Sequence, residues 1–195
     1  MSFLKIRSLL LSILVLFAII PGLTFAADAA KSTDKKAMAA ETKNKHDAEI
    51  IAFVMAIDDH EINAADEAMK HNLSAPVSDY AKMLKDHHEQ NKSDMQKMAD
   101  SMSVTPNESK MVMDFKATGD KKLAKLAATT PDDKFEHAYV DAMINGHKEA
   151  LGKVDSFIKQ ANNADLKKSL TDFRKTVKDH LDQAEKLKKD MKAKK

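Results

Sequence analysis

Apolar residues recur three and four positions apart along most of the chain after residue 46, which is the spacing of an amphipathic helix. Pro76 and Pro131 suit the first turns of two such helices. The pattern predicts four long helices, over about 47–71, 76–102, 131–161 and 165–191. We therefore expect an all-α fold.

The connections between these helices predict how they pair. Residues 72–75 and 162–164 are short links, so each should close an antiparallel helical hairpin. Residues 103–130 form a longer link with a weak helical pattern of its own, around 108–128. We predict a ferritin-like four-helix bundle whose long connection contains a short extra helix. An up-down-up-down bundle with a side helix is the alternative.

The first residues have the features of a secretory signal peptide, assigned to 1–26. Lys5 and Arg7 precede an apolar run at 8–20, and small residues before Ala27 suit cleavage there. The apolar run is short for a membrane span, so no transmembrane segment is expected in the mature form. We expect an exported protein of the periplasm, with outer-membrane association as the alternative.

After the leader, residues 27–46 are small, polar and charged, which predicts a disordered linker before a bundle domain at 47–195. The absence of cysteine excludes disulfides and thiolate ligands. Removing the leader's two basic residues from the chain's 32 leaves 30, against 30 acidic residues, so nucleic-acid binding is not expected. The lysine-rich end at 186–195 could contact an anionic envelope surface, although solvation of a helix end also explains it.

Each predicted helix has one metal-ligand side chain within its apolar stripe. These residues are Glu61, His87, His147 and His180. At about 1.5 Å of rise per residue, the first two lie roughly 20 Å from their hairpin turn and the last two about 25 Å from theirs. All four should therefore meet near the middle of the bundle.

One carboxylate and three imidazoles form a plausible shell for Zn²⁺, Cu²⁺, Fe²⁺ or Mn²⁺. Met83 and Met143 precede two of the histidines by one turn and are optional soft donors, which favours copper slightly. His60 and His88 flank the stripes and are interpreted as solvated boundary residues. Orienting the metal-bound imidazoles by hydrogen bonds is their alternative role.

The predicted function is binding or buffering of a transition metal in the cell envelope. The alternative is a non-catalytic envelope stress or interaction module whose buried Glu/His layer fixes helix register and responds to acid. The sequence contains no glycine-rich phosphate loop and no nucleophile elbow. A catalytic role is therefore less favoured, although an open metal position could support oxidative chemistry.

Three stretches carry a resemblance to a known family: "HEINAADEAMKHNLSAPVSDYAKMLKDHHEQN", "KFEHAYVDAMINGHKEAL" and "LTDFRKTVKDHLDQAEKL". Over about 47–187 they resemble an exported bacterial family of unknown function, often labelled "predicted outer membrane protein" and similar to ferritin-like bundles. The resemblance implies a helical envelope domain. The matching positions are Glu61, Asp86, His87, Tyr139, His147 and His180. The Glu-x-x-His pairs of di-iron ferritins are missing. The residue three positions before each stripe histidine is apolar: Leu84 before His87, Ile144 before His147 and Val177 before His180. Ferroxidase or iron-storage activity is therefore not expected.

Overall fold

The computed structural model describes residues 25–193, with side chains for residue 35 and residues 37–193. Within this part of the chain the structure is helical and contains no strand, so the all-α prediction is confirmed. The helices are α1 (Phe25–Ala68), α2 (Ala75–Ser101), α3 (Lys110–Ala127), α4 (Asp132–Gln160) and α5 (Ala164–Ala193). Most of the predicted signal peptide lies outside the described residues. The chain packs as two units, Met1–Met38 and Ala39–Lys195, and the core described below belongs to the second.

The start of α1 differs from the sequence prediction. The helix begins at Phe25, so residues 27–46, predicted to be a disordered linker, are helical. The stretch is rich in Ala and Lys, which have high helix propensity, and it extends a helix whose later residues are buried in the core. Side chains at 37–45 are exposed, and burial begins at Asp47.

Local hydrogen bonds explain where several helices begin. Ser74 precedes α2 with an extended backbone but makes no side-chain cap hydrogen bond, whereas α3 and α5 are capped. The Ser109 hydroxyl accepts from the Val112 N–H at 3.4 Å at the start of α3. The Asn163 amide oxygen accepts from the Leu166 N–H at 2.9 Å at the start of α5. Short polar side chains thus satisfy backbone donors that have no partner within the helix.

Two apolar clusters form the core of the second unit. The first cluster includes Ile50, Phe53, Ile57, Met95, Val112, Val154, Phe157, Leu170 and Val177. The second cluster includes Ala64, Ala68, Val77, Leu84, Leu126, Phe135, Tyr139, Ile144 and Leu181.

The order in which each helix contributes to these clusters gives its direction. In chain order, α1, α3 and α5 pass from the first cluster to the second. Helices α2 and α4 pass from the second cluster to the first. Because α2 and α4 run in the same direction, α3 must carry the chain back along the length of the core. The long connection between α2 and α4 is therefore a crossover that contains the extra helix.

Polar contacts close both ends of the core. The buried Asp47 carboxylate accepts from the backbone N–H groups of Asn162 at 2.8 Å and Asn163 at 2.9 Å, which ties α1 to the α4–α5 turn. At the other end, the Ser74 N–H and hydroxyl donate to the Glu136 carboxylate. Each hairpin turn is thereby fixed to a neighbouring helix.

Candidate metal centre

A layer of buried polar residues separates the two apolar clusters. On each of four helices, the polar residue falls between the positions that belong to one cluster and those that belong to the other. We call this group the polar layer, and its members are Asp58 and Glu61 on α1, His88 on α2, His147 on α4 and His180 on α5. Each of them is at most 3% exposed. Four helices thus place ionisable groups at a shared depth.

Three imidazoles meet at the centre of this layer. One ring nitrogen from each of His88, His147 and His180 lies within 4.8 Å of the others. The ring centroids of His180 are 5.3 Å from those of His88 and His147, and the His88 and His147 centroids are 6.3 Å apart. Each histidine is 1% exposed. We call these residues the histidine cluster.

Hydrogen bonds hold the first two rings in a defined tautomer. His88 Nδ1 lies 2.8 Å from the Asp58 carboxylate, and His147 Nδ1 lies 2.6 Å from the Met143 carbonyl oxygen. A carbonyl oxygen can only accept, and an ionised carboxylate likewise, so both Nδ1 atoms carry a proton. In the neutral rings, the lone pairs are therefore on the Nε2 atoms.

His180 is held from the other side by a neighbouring histidine. His180 Nε2 lies 2.9 Å from Nδ1 of the exposed His87, and the two rings stack with centroids 5.2 Å apart. When His180 donates through Nε2, its Nδ1 atom carries a lone pair. His87 thus orients one member of the cluster from the protein surface.

The nitrogens left over from these hydrogen bonds have no partner. His88 Nε2, His147 Nε2 and His180 Nδ1 are buried without a hydrogen bond to any described residue. A buried polar atom without a partner costs about 1–3 kcal/mol. The three histidines form a group that could hold a metal ion, and each has one buried nitrogen without a hydrogen bond.

Burial and neighbouring groups shift the pKa values of His180 and Asp58. Burial, and then the three neighbouring imidazoles, lower the pKa of His180 to about 2. His180 is therefore neutral at ordinary pH, as a metal ligand must be. Burial raises the pKa of Asp58 to about 6, although hydrogen bonds from His88 and Asn91 act in the opposite direction.

Glu61 lies in a neighbouring part of the polar layer with two tyrosines. Its Oε2 atom is buried without a partner, as is the hydroxyl of Tyr139. Burial first, and the Glu61 charge second, raise the pKa values of Tyr80 and Tyr139. Tyr80 donates to the His180 carbonyl oxygen at 3.0 Å, which connects this group to the histidine cluster.

The structure brings together some of the predicted ligands. His147 and His180 are members of the cluster, whereas Glu61 and His87 are not members of the three-nitrogen group. His88 takes the place expected for His87, and its interpretation as a solvated boundary residue is wrong. Met143 is buried beside His147, and Met83 is half-buried.

The misassignment of His88 has a simple geometric cause. The buried face of α2 continues from Leu84 to His88 and then Met95, steps of four and seven residues. The stripe predicted from the sequence instead continued by three residues, from Leu84 to His87. Both steps keep a residue near the same helix face, and both positions are histidine, so the apolar spacing alone did not separate them.

Among the helices of residues 25–193, none has an apolar stretch long enough to cross a bilayer.

Comparison with known proteins gives a family and a fold. A family model described as "Domain of unknown function (DUF4142)" matches residues 32–187. The crystal structure of a DUF305 fragment from Deinococcus radiodurans is similar in fold, with a TM-score of 0.64 and 14% identity, covering 72% of this chain and 93% of that chain. No curated protein matches the chain.

Proposed function

Because the chain belongs to the DUF4142 family, a domain of unknown function, we propose its function from its geometry: it binds one transition metal ion through His88, His147 and His180. The observation that carries this proposal is the meeting of three buried imidazoles: one nitrogen of each ring lies within 4.8 Å of the others, and each ring keeps one nitrogen without a hydrogen-bond partner. A cation that accepts three lone pairs satisfies all of them at once.

The ligand set favours certain ions. Neutral imidazoles suit Zn²⁺, Cu²⁺ and Fe²⁺, whereas Mn²⁺ prefers oxygen ligands. Metal–nitrogen bonds of about 2.0–2.1 Å place two ligands of one tetrahedral ion about 3.4 Å apart, so the ion would draw the rings closer together. Asp58 would hold His88 as carboxylates hold metal-bound histidines in other proteins.

Three protein ligands leave one coordination position of a tetrahedral ion for another donor. Met143 is the soft donor that the sequence places nearest to His147, and its participation would favour copper. Water is the other donor. The role that follows is binding or buffering of the ion within a ferritin-like four-helix bundle, and the directions of α2 and α4 support that topology.

The experiment is a thermal unfolding series on purified protein, first stripped with chelator and then given Zn²⁺, Cu²⁺, Fe²⁺ or Mn²⁺ in excess, so that the free ion is at about 100 times its dissociation constant. Binding at 100 times the dissociation constant stabilises by about 2.7 kcal/mol. At roughly 2–4 °C per kcal/mol, the midpoint should rise by about 5–11 °C. Elemental analysis should give one ion per chain.

Variants separate the cluster from adventitious binding. His147→Ala and His180→Ala should lose the metal-dependent rise, while His137→Ala, on the same helix as His147 but outside the cluster, should keep it. Electron paramagnetic resonance of the Cu²⁺ form should show coupling to three nitrogens. A protein that binds no ion in elemental analysis and gains no stability from any of the four ions would contradict the proposal.

A structural role is the second candidate. Asp58, His88 and Asn91 form an internal hydrogen-bonded group that is satisfied in part without any ion. Such a group can fix the register of packed helices. In this case, the melting midpoint would be the same with chelator and with each metal, and His88→Ala would lower it equally in all conditions.

Export to the periplasm is a separate proposal, supported by the basic and apolar pattern of the first residues. N-terminal sequencing of the protein from a cell-envelope fraction tests it. A mature chain that begins at Ala27 is expected, and a cytoplasmic protein that retains Met1 would contradict it.

A further inference from the structure

A large groove lies between α1, α3 and α4, apart from the histidine cluster. Its volume is about 1260 Å³, and none of the three clustered histidines lines it. Ligand pockets of roughly 300–1000 Å³ hold molecules of drug size. The walls are mostly apolar and include Ile57, Ala64, Phe115, Leu123, Ala142 and Ala150.

One carboxylate lies within these apolar walls. Glu61 lines the groove, is 3% exposed, and has an Oε2 atom without a hydrogen-bond partner. Its Oε1 atom lies 3.2 Å from the place that a Cβ atom on Gly146 would occupy. The glycine therefore leaves room on α4 for the carboxylate. A buried carboxylate without a partner is costly, and a donor supplied by a ligand would remove that cost.

Several charged residues of the lining are held in ion pairs, whereas Lys125 and Lys153 are exposed lining residues without an ion pair to a described residue. Lys122 contacts Glu149 at 2.7 Å, and Lys148 contacts Glu185 at 2.8 Å. Asp141, another charged residue of the lining, contacts Lys188 at 2.7 Å. Glu61 is the buried charged residue of the lining, so the inner end of the groove complements a ligand with a positive group there.

We propose that this groove binds a primary ammonium with an apolar tail, with the ammonium at Glu61 and the tail along the wall formed by α3 and α4. An ammonium donates three hydrogen bonds, so it can satisfy the buried Glu61 carboxylate, whose Oε2 atom has no partner. An anionic head at the same place would repel Glu61, and a neutral tail would bury the carboxylate without a partner. The proposal does not depend on metal binding by the histidine cluster.

The test compares three ligands with the same chain length on the purified full chain: octylammonium, octanol and octanoate, each below its micellar concentration. Titration calorimetry should show octylammonium binding about tenfold or more tightly than the other two, because charge-assisted hydrogen bonds are the strong ones. The NMR signals of the Gly119 and Gly146 amides should shift during the titration. Equal binding of octanoate, or no binding of octylammonium, would overturn the proposal.

Matched variants locate the ammonium. Glu61→Gln should weaken octylammonium binding about tenfold or more, while Glu149→Gln, which removes an exposed carboxylate of the same groove, should change it by less than about threefold. Ala142→Leu fills the groove without changing charge and should weaken binding of all three ligands. Unchanged octylammonium affinity in a folded Glu61→Gln protein would overturn the proposal. If Glu61→Gln does not fold, the ligand comparison and Ala142→Leu still decide the question.

Discussion

Asp58 on α1 and His88 on α2 form a hydrogen-bonded pair in which the carboxylate lies 2.8 Å from Nδ1 and both side chains are at most 1% exposed. Asn91 donates to the other carboxylate oxygen at 2.7 Å, so Asp58 cannot rotate away without losing a second contact. The pair fixes the proton on His88 Nδ1 and thereby leaves the lone pair on Nε2. In the proposed metal site, Asp58 would therefore control whether His88 can bind an ion.

Asp58→Asn should weaken metal binding about 10–100-fold, the usual effect of removing the group that orients a metal-bound histidine. The amide can present its NH₂ group to Nδ1, which would move the ring proton to Nε2 and block the lone pair. Affinity can be measured by competition with a coloured chelator. The control is Asp59→Asn, which removes a neighbouring carboxylate whose side chain is 42% exposed and paired with Lys92. If both variants bind equally well, Asp58 does not orient the site.

His88→Ala and His87→Ala should differ, although the residues are adjacent. Removing His88 deletes one of three ligand nitrogens, so the Cu²⁺ spectrum should lose one nitrogen and the metal-dependent stabilisation should disappear. Removing His87 deletes the hydrogen bond to His180 Nε2 and the stacking on its ring but no ligand, so three nitrogens should remain with an affinity about tenfold weaker. The opposite pattern would show that His87 is the ligand, as the sequence suggested.

The sequence predicted the helices well because their apolar spacing is regular. Helices α2, α4 and α5 begin and end within one or two residues of the predicted bounds. The shared depth of the polar residues was also predictable, since it follows from the rise per residue and the short hairpin links. The histidine cluster lies between the two apolar clusters.

The sequence could not show which polar residues pair. Asp58 was absent from the predicted site because it sits beside Ile57, outside the apolar stripe, and an acid there is usually solvated. Its burial depends on donors from another helix, His88 and Asn91, which is information that only the packed structure holds. Those two residues are three apart on α2 and so lie on one helix face, which is the signal that could have indicated a shared partner.

Asp47→Ala should destabilise the protein without affecting metal binding. The carboxylate is 1% exposed and accepts from two backbone N–H groups in the α4–α5 turn, and leaving those donors unpaired costs about 1–3 kcal/mol each. At about 2–4 °C per kcal/mol, the midpoint should fall by several degrees. Asp165→Ala, an exposed acid in the first turn of α5, is the matched control and should cost at most about 1 kcal/mol. Equal midpoints for the two variants would show that Asp47 does not hold the turn.

Gly119→Ala and Gly152→Ala should change stability in opposite directions, although both glycines lie within helices. Alanine is about 0.8–1.0 kcal/mol more favourable than glycine in a helix, and a Cβ at Gly152 would meet no atom within 4 Å, so Gly152→Ala should raise the free energy of unfolding in urea. A Cβ at Gly119 would lie 2.8 Å from His60 Nδ1, on a half-buried ring that packs against Phe115 with centroids 6.3 Å apart. The ring must move, and overpacking of this kind costs about 1–3 kcal/mol, so Gly119→Ala should be destabilising.

Repeating Gly119→Ala in a His60→Ala background isolates the contact with the ring. Without the ring, the same substitution should become stabilising. If Gly119→Ala still lowers stability in that background, the cause is not the contact with His60.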